Sequence, residues 1–180
     1  MPGSGRLKKA DWLDLGLALL AESGPDALTI ETACQRAKRS KGSFYHHFET
    51  IDAYLLAMAG AWRERHTEAV MRQVEKAGTA EEKLEALNIA TSLLDQRIDQ
   101  AMRSLATRHP GIAEICAWVD RHRTGFLARL HEAAGLPPET ARVLARIEYA
   151  AFLGLSILEP ASTPAERQAL YRHFLALLKR

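Results

Sequence analysis

Apolar side chains recur along this chain at helical spacing, and short clusters of glycine, proline and capping residues separate the runs. The first run, DWLDLGLALLAESG, is apolar-rich and stops at Gly24 and Pro25. Thr29 can cap a second helix, on which Ile30, Ala33, Cys34 and Ala37 follow at i, i+3, i+4 and i+7 as a single stripe. Lys38 and Arg39 interrupt that stripe. Ser40 can cap again, so Phe44, Tyr45 and Phe48 fall on a third, very short helix that ends near Phe48. Three helices of this length, the last two joined by a tight turn, predict a helix-turn-helix unit.

From Thr50 a longer helix runs toward Gly78, with Asp52 in its first turn. Helical stretches then begin at Thr79, Asp99, Pro110, Pro137 and Thr163, punctuated by Pro110, by Gly135-Leu136-Pro137-Pro138 and by Pro160 and Pro164. The expected fold is all-α: a helix-turn-helix domain over residues 1–50 and a helical domain over 51–180. The last two stretches carry apolar residues on more than one face. Glu139 to Glu159 and Ala165 to Leu178 are therefore expected to form a two-fold dimer seam, with Ala151, Leu155, Leu170, Phe174 and Leu177 in it.

Composition narrows this picture. With 47% hydrophobic and 26% charged residues over 180 positions, the chain can bury a real core. Seven prolines, eleven glycines and few β-branched runs favour helix throughout. No run approaches the roughly 20 apolar residues of a membrane span, and no apolar signal core leads the chain, so a cytoplasmic protein without a membrane partner is expected. Cys34 and Cys116 sit among helix-forming apolar residues and are expected to be buried free thiols. A net charge of +2 is too small to identify a polyanionic partner, so its distribution matters more. Arg36, Lys38, Arg39 and Lys41 form a basic run with no acid before Phe48, and Arg6, Lys8 and Lys9 lead the chain.

The stretch SKGSFYHHF concentrates the candidate chemistry. Gly42 in a first helical turn costs about 1 kcal/mol relative to alanine and suits a close approach to phosphate. Ser40, Lys41 and Ser43 supply short donors for bases and phosphates, Tyr45, His46 and His47 follow one turn later, and Phe44 and Phe48 make a core-facing pair. A metal site at His46 and His47 has little support, because adjacent helical residues point about 100° apart and neither has a ligand at i+3 or i+4. No cofactor is expected. A small helical enzyme is equally poorly supported, since there is no nucleophile-histidine-acid spacing and no glycine-rich phosphate loop.

The segment LTIETACQRAKRSKGSFYHHFETIDAYLLAM resembles the DNA-binding signature of the tetracycline-repressor (TetR) family, over Trp12 to about Leu56. The resemblance implies a homodimer whose first three helices bind a palindromic double-stranded operator, and a C-terminal helical domain whose small apolar or amphipathic effector releases the DNA. By position it places Lys41, Gly42, Ser43, Tyr45 and His46 on the recognition surface, Thr29 and His47 at phosphate contacts, and Ala37, Phe44 and Phe48 in the core. The chain departs from the family at Lys38 and Arg39, where glycine and an aliphatic residue are usual, and at Ile51, where a lysine is common; Lys38 and Arg39 are expected to replace that charge. The alternative is a helical interaction module that keeps the fold without specific DNA binding. For the effector, Trp62, Met102, Trp118, Phe126, Tyr149 and Phe152 are the candidate walls, with Gln96, Arg103, Arg123 or Glu148 as orienting groups and plain core packing as the competing role.

Overall fold

A computed structural model describes residues 7–178, and every regular element among them is helical. Helix α1 (Lys9–Ser23) begins where the Asp11 carboxylate accepts the Lys8 backbone N–H, and it ends at Gly24, whose φ of 76° breaks the helical path. A 3-10 turn at Pro25–Ala27 leads to α2 (Ile30–Ala37). Thr29 caps α2 reciprocally with Thr32.

Lys38 closes α2 in the left-handed conformation, at φ 52° and ψ 47°. Its N–H reaches Gln35 O and the Arg39 N–H reaches Cys34 O, so the last carbonyls of α2 are satisfied as a left-handed C-terminal cap requires. The lysine carries the steric cost of that conformation, which glycine would not. Ser40 then accepts Ser43 N–H and opens α3 (Lys41–Tyr45), only five residues long.

A helix that short holds no shape by itself. Phe44 fixes it: fully buried, the ring meets Trp12 edge-on at 5.5 Å and Tyr54 at 5.2 Å, with Phe48 tilted against it at 5.4 Å. Tyr54 lies on α4 (Ile51–Arg63) and donates its hydroxyl to Trp12 O at 2.7 Å. Gly16 makes room for that approach, since a Cβ there would stand 2.1 Å from the Tyr54 oxygen.

Packing groups α4 with the N-terminal helices rather than leaving it beyond residue 50. The first compact unit takes the described residues up to Trp62 together with Arg97–Cys116. Trp62 donates its indole N–H to the buried Asp99 of α7 (Gln96–Ala106) at 3.2 Å, and Met102, Leu105 and Ile112 fill the adjoining core. The expected boundary at residue 50 falls between α3 and α4 and does not coincide with an edge in the packing.

The second unit takes Arg63–Gln96 and the chain from Ala117. The helix predicted from Thr50 toward Gly78 starts at Ile51 and widens into a π-turn at Glu64–Glu68 before resuming as α5 (Ala69–Val74). Helix α6 (Ala80–Ser92) is capped by Thr79 and Glu82. Helix α8 (Pro110–Ala133) starts in the first unit and continues into the second, followed by α9 (Pro138–Leu158) and α10 (Pro164–Leu178). Val74, Leu84, Phe126, Leu127, Leu130 and Ala145 form the core of this unit. No helix of the described residues is long and apolar enough to cross a membrane.

Two substitutions test this framework. Gly16→Ala should destabilise the protein by about 1–3 kcal/mol in thermal or denaturant unfolding, because Tyr54 and Met58 leave no space for a methyl group. Lys38→Gly should stabilise it by about 0.5–1 kcal/mol, the left-handed penalty less the entropy of the freer residue.

Candidate nucleic-acid interface and ligand cavity

Once Phe44 and Phe48 point inward, the other residues of the SKGSFYHHF stretch are forced outward. Lys38, Ser40, Lys41, Gly42, Tyr45 and His46 are exposed, while Arg39, Ser43 and His47 are half-buried. Tyr45 keeps half of its surface open and packs edge-on against Phe44, which orients its hydroxyl away from the core. Gly42 has no internal explanation: a Cβ would meet only the Ser40 oxygen, at 3.7 Å. Helical cost without a packing need leaves this glycine unexplained by the fold itself.

Several predicted contacts are already committed within the fold. The Ser40 hydroxyl caps α3 and the Thr29 hydroxyl caps α2, so each offers only its remaining hydrogen-bonding capacity. His47 Nε2 pairs with Leu7 O at 3.0 Å, tying the start of α1 to the end of the reading unit, and the His46 ring stands edge-on to it at 5.0 Å. Arg36, counted in the unopposed basic run, is paired with Glu22 of α1 at 2.6 Å, an acid that is distant in sequence and adjacent in space. Lys9 lies over the Phe48 ring at 5.3 Å, and Arg6 falls outside the described residues. Ala37 is half-buried rather than enclosed. Cys34 and Cys116 are buried free thiols, and burial pushes the Cys34 thiol above its ordinary value. Among the described residues no group of three or more potential ligands is placed to hold a metal ion.

A cavity of about 1190 Å³ opens within the second unit. Phe126, Tyr149 and Phe152 line it, as do Gln96, Arg123 and Glu148. The other four candidates do not. Trp62 and Met102 are fully buried in the first unit, where the indole is held by Asp99 and Met102 packs the core. Arg103 pairs with Asp99, and Trp118 stacks on His122 at 3.5 Å beneath the Arg63 guanidinium. Aromatic content alone could not separate these positions from true wall residues.

The polar wall groups were the least visible in the sequence. Arg123 donates to Thr67 Oγ1 at 2.9 Å and to His66 O at 3.1 Å, both on the π-turn, while Tyr149 donates to Asp120 at 2.7 Å. Glu148 and His131, both buried, pair at 2.7 Å. An ionisable residue inside the apolar stretch of α9 was the available signal for this pair; its partner on α8 is a matter of packing. Ala151, Leu155, Leu170 and Phe174, expected in a dimer seam, line the cavity, and Leu170 and Leu177 are exposed.

Comparison with known proteins agrees with this geometry. Residues 13–58 match the family model of bacterial regulatory proteins, tetR family, spanning α1 through the first half of α4. No curated protein matches the chain. Among solved structures, a TetR transcriptional regulator of Legionella pneumophila superposes with a TM-score of 0.79 at 19% identity, covering 99% of each chain. A transcriptional regulator of Rhodococcus sp. Rha1 gives 0.77 at 23% identity over 91% of each chain. The ketosteroid transcriptional regulator of Mycobacterium tuberculosis gives 0.66 at 17% identity, over 97% of this chain and 94% of its own. At these identities the structural likeness establishes the fold, while the family match falls on the helices that carry Lys41, Gly42 and Tyr45. Residues 13–58 thus match the tetR family of bacterial regulatory proteins, and the chain has the fold of solved transcriptional regulators.

Proposed function

We propose that the protein is a homodimeric repressor that holds a palindromic operator through α3 and releases it when a small apolar or amphipathic molecule enters the cavity of the second unit. Residues 1–50 act as the reading domain and 51–180 as the sensing and dimerising domain. The observation that carries the DNA half is Gly42, exposed between Lys41 and Ser43 with no packing reason to be glycine. Lys41, Ser43, Tyr45 and His46 face the base edges around it. Thr29, Ser40 and His47 approach phosphates with the capacity their internal bonds leave, and Lys38 and Arg39 take the charge that Ile51 does not supply.

The cavity supports the sensing half, being large enough for a drug-sized molecule and walled mainly by apolar side chains. An effector shifts the DNA affinity only by its differential affinity for the DNA-competent and the released states. Helix α8 runs from one unit into the other and so offers a covalent route for that coupling.

Exposed apolar residues support the dimer. On α9, Val143, Ile147 and Leu158 recur at helical spacing on the outside, joined by Ile157, and Leu170 and Leu177 are exposed on α10. Gly154 falls within the same spacing, and both it and Leu158 also line the cavity.

Binding to DNA flanking the protein's own gene, followed by fluorescence anisotropy, should fall steeply with salt, and Lys41→Ala should lower the slope of log affinity against log salt by about 1. Gly42→Ala should leave stability unchanged or raise it by up to about 1 kcal/mol while weakening operator binding. Salt-insensitive binding, or full operator affinity in Gly42→Ala, would overturn the assignment of this surface. Light scattering at micromolar concentration should show a dimer, and Ile147→Glu combined with Leu158→Glu should convert it to monomer with loss of operator binding; a monomeric parent chain would refute the dimer. An apolar or amphipathic compound that binds by calorimetry should lower operator affinity over the same concentration range, by about 5–150-fold. Compounds that bind without changing operator affinity would remove the effector mechanism.

A further inference from the structure

The cavity walls carry charged groups of both signs, but most are committed to the protein itself. Glu166 caps α10 through Thr163 N and Oγ1 at 2.7 and 2.8 Å, and those two bonds hold its carboxyl below its ordinary pKa. Glu159 accepts the Ser162 hydroxyl at 3.1 Å, and both acids are exposed at the rim. Arg167 donates to the carbonyls of Ser92 and Ser162. Arg123 spends its donors on Thr67, His66 O and the Tyr149 oxygen. His173 pairs with Ala169 O, and His66 sits on the π-turn beside Arg123.

Arg167 also keeps its Nε buried without a partner, and of the three acids in the wall Glu148 alone is buried. It is only 6% exposed, its Oε2 is 2.7 Å from His131 Nε2, and its second oxygen is left for the cavity. The imidazole fixes the direction of the carboxylate. Tyr171 stands beside Glu148: burial first, and then the charge of Glu148 and a hydrogen bond to it, push this phenol well above its ordinary pKa. A buried carboxylate with unused acceptor capacity lines the cavity, and such a group is normally satisfied.

The complementary head group must bring N–H donors and positive charge. A carboxylate would be repelled by Glu148, and a purely apolar molecule would seal the free Glu148 oxygen away from water unpaired. Phe126, Tyr149, Phe152 and Phe174 in the same wall supply aromatic surface that suits a cation and covers an alkyl or aryl body. We infer that the cavity takes an amphipathic ligand whose head is a protonated primary or secondary amine, donating to Glu148. This inference rests on the cavity being the effector site, and it adds the chemical class of the effector.

Calorimetry on the full-length protein with decylamine, decyltrimethylammonium, decanol and decanoate, each below its micellar concentration, tests it. Decylamine should bind at least about tenfold more tightly than decanol or decanoate, a difference of about 1.4 kcal/mol. Glu148→Gln, which keeps the shape and the bond from His131, should abolish that preference. Decyltrimethylammonium, which has no N–H to donate to Glu148, should bind severalfold more weakly than decylamine. The inference is overturned if decanoate matches decylamine, if no compound of the set binds, or if the preference survives Glu148→Gln in a variant whose thermal unfolding matches the parent. Operator affinity measured alongside separates the two readings. Glu148-dependent amine binding that leaves the DNA affinity unchanged keeps the head-group assignment and removes the effector role, whereas operator release by decanoate alone does the reverse.

Discussion

The burial of Phe44 against Trp12 and Tyr54 is the contact on which the reading unit depends. Five residues of α3 cannot pay their own ordering entropy through backbone hydrogen bonds, so the helix exists because one side chain anchors it into a pocket made by α1 and α4. Tyr54 closes that pocket by donating to Trp12 O, and Gly16 permits the approach. Burial pushes the Tyr54 phenol well above its ordinary pKa, so the donor stays protonated and the bond is kept. Every residue that faces outward from α3 owes its direction to that inward anchor.

The turn between α2 and α3 works under a conformational constraint that its sequence does not relieve. Lys38 adopts a left-handed geometry that glycine would accept more easily, and the stability lost there is compatible with a lysine side chain held on the exposed face next to Arg39 and Lys41. Arg36, one helical turn earlier, is withdrawn from that face by Glu22. Basic character is thus sorted in space: one arginine braces α1 against α2, and the residues after it remain on the surface.

In the second unit the π-turn and the cavity belong to one polar arrangement. The wide turn brings His66 O and Thr67 to the Arg123 guanidinium, and Tyr149 joins the same group through Asp120. Glu148 and His131 form a separate buried pair at another part of the wall. Such groups cost stability unless they are satisfied, so their placement around an open cavity gives it a directional chemistry that aliphatic packing would lack.

Much of this was legible in the sequence because its signals are local. The stops at Gly24 and Pro25, the caps at Thr29 and Ser40 and the inward pair Phe44 and Phe48 depend on backbone geometry and on spacing along a few turns, and the structure places them as the spacing predicts. The cavity was only half legible: Phe126, Tyr149, Phe152, Arg123 and Glu148 line it, whereas Trp62, Met102 and Trp118 look the same in composition and lie elsewhere. Pairings such as Arg36 with Glu22, Trp62 with Asp99 and Glu148 with His131 join residues 14, 37 and 17 positions apart. Local periodicity decides which face of a helix is apolar, but which other helix meets that face is set by the packing of the whole chain, and the tertiary structure alone decided which large side chains became core and which became wall.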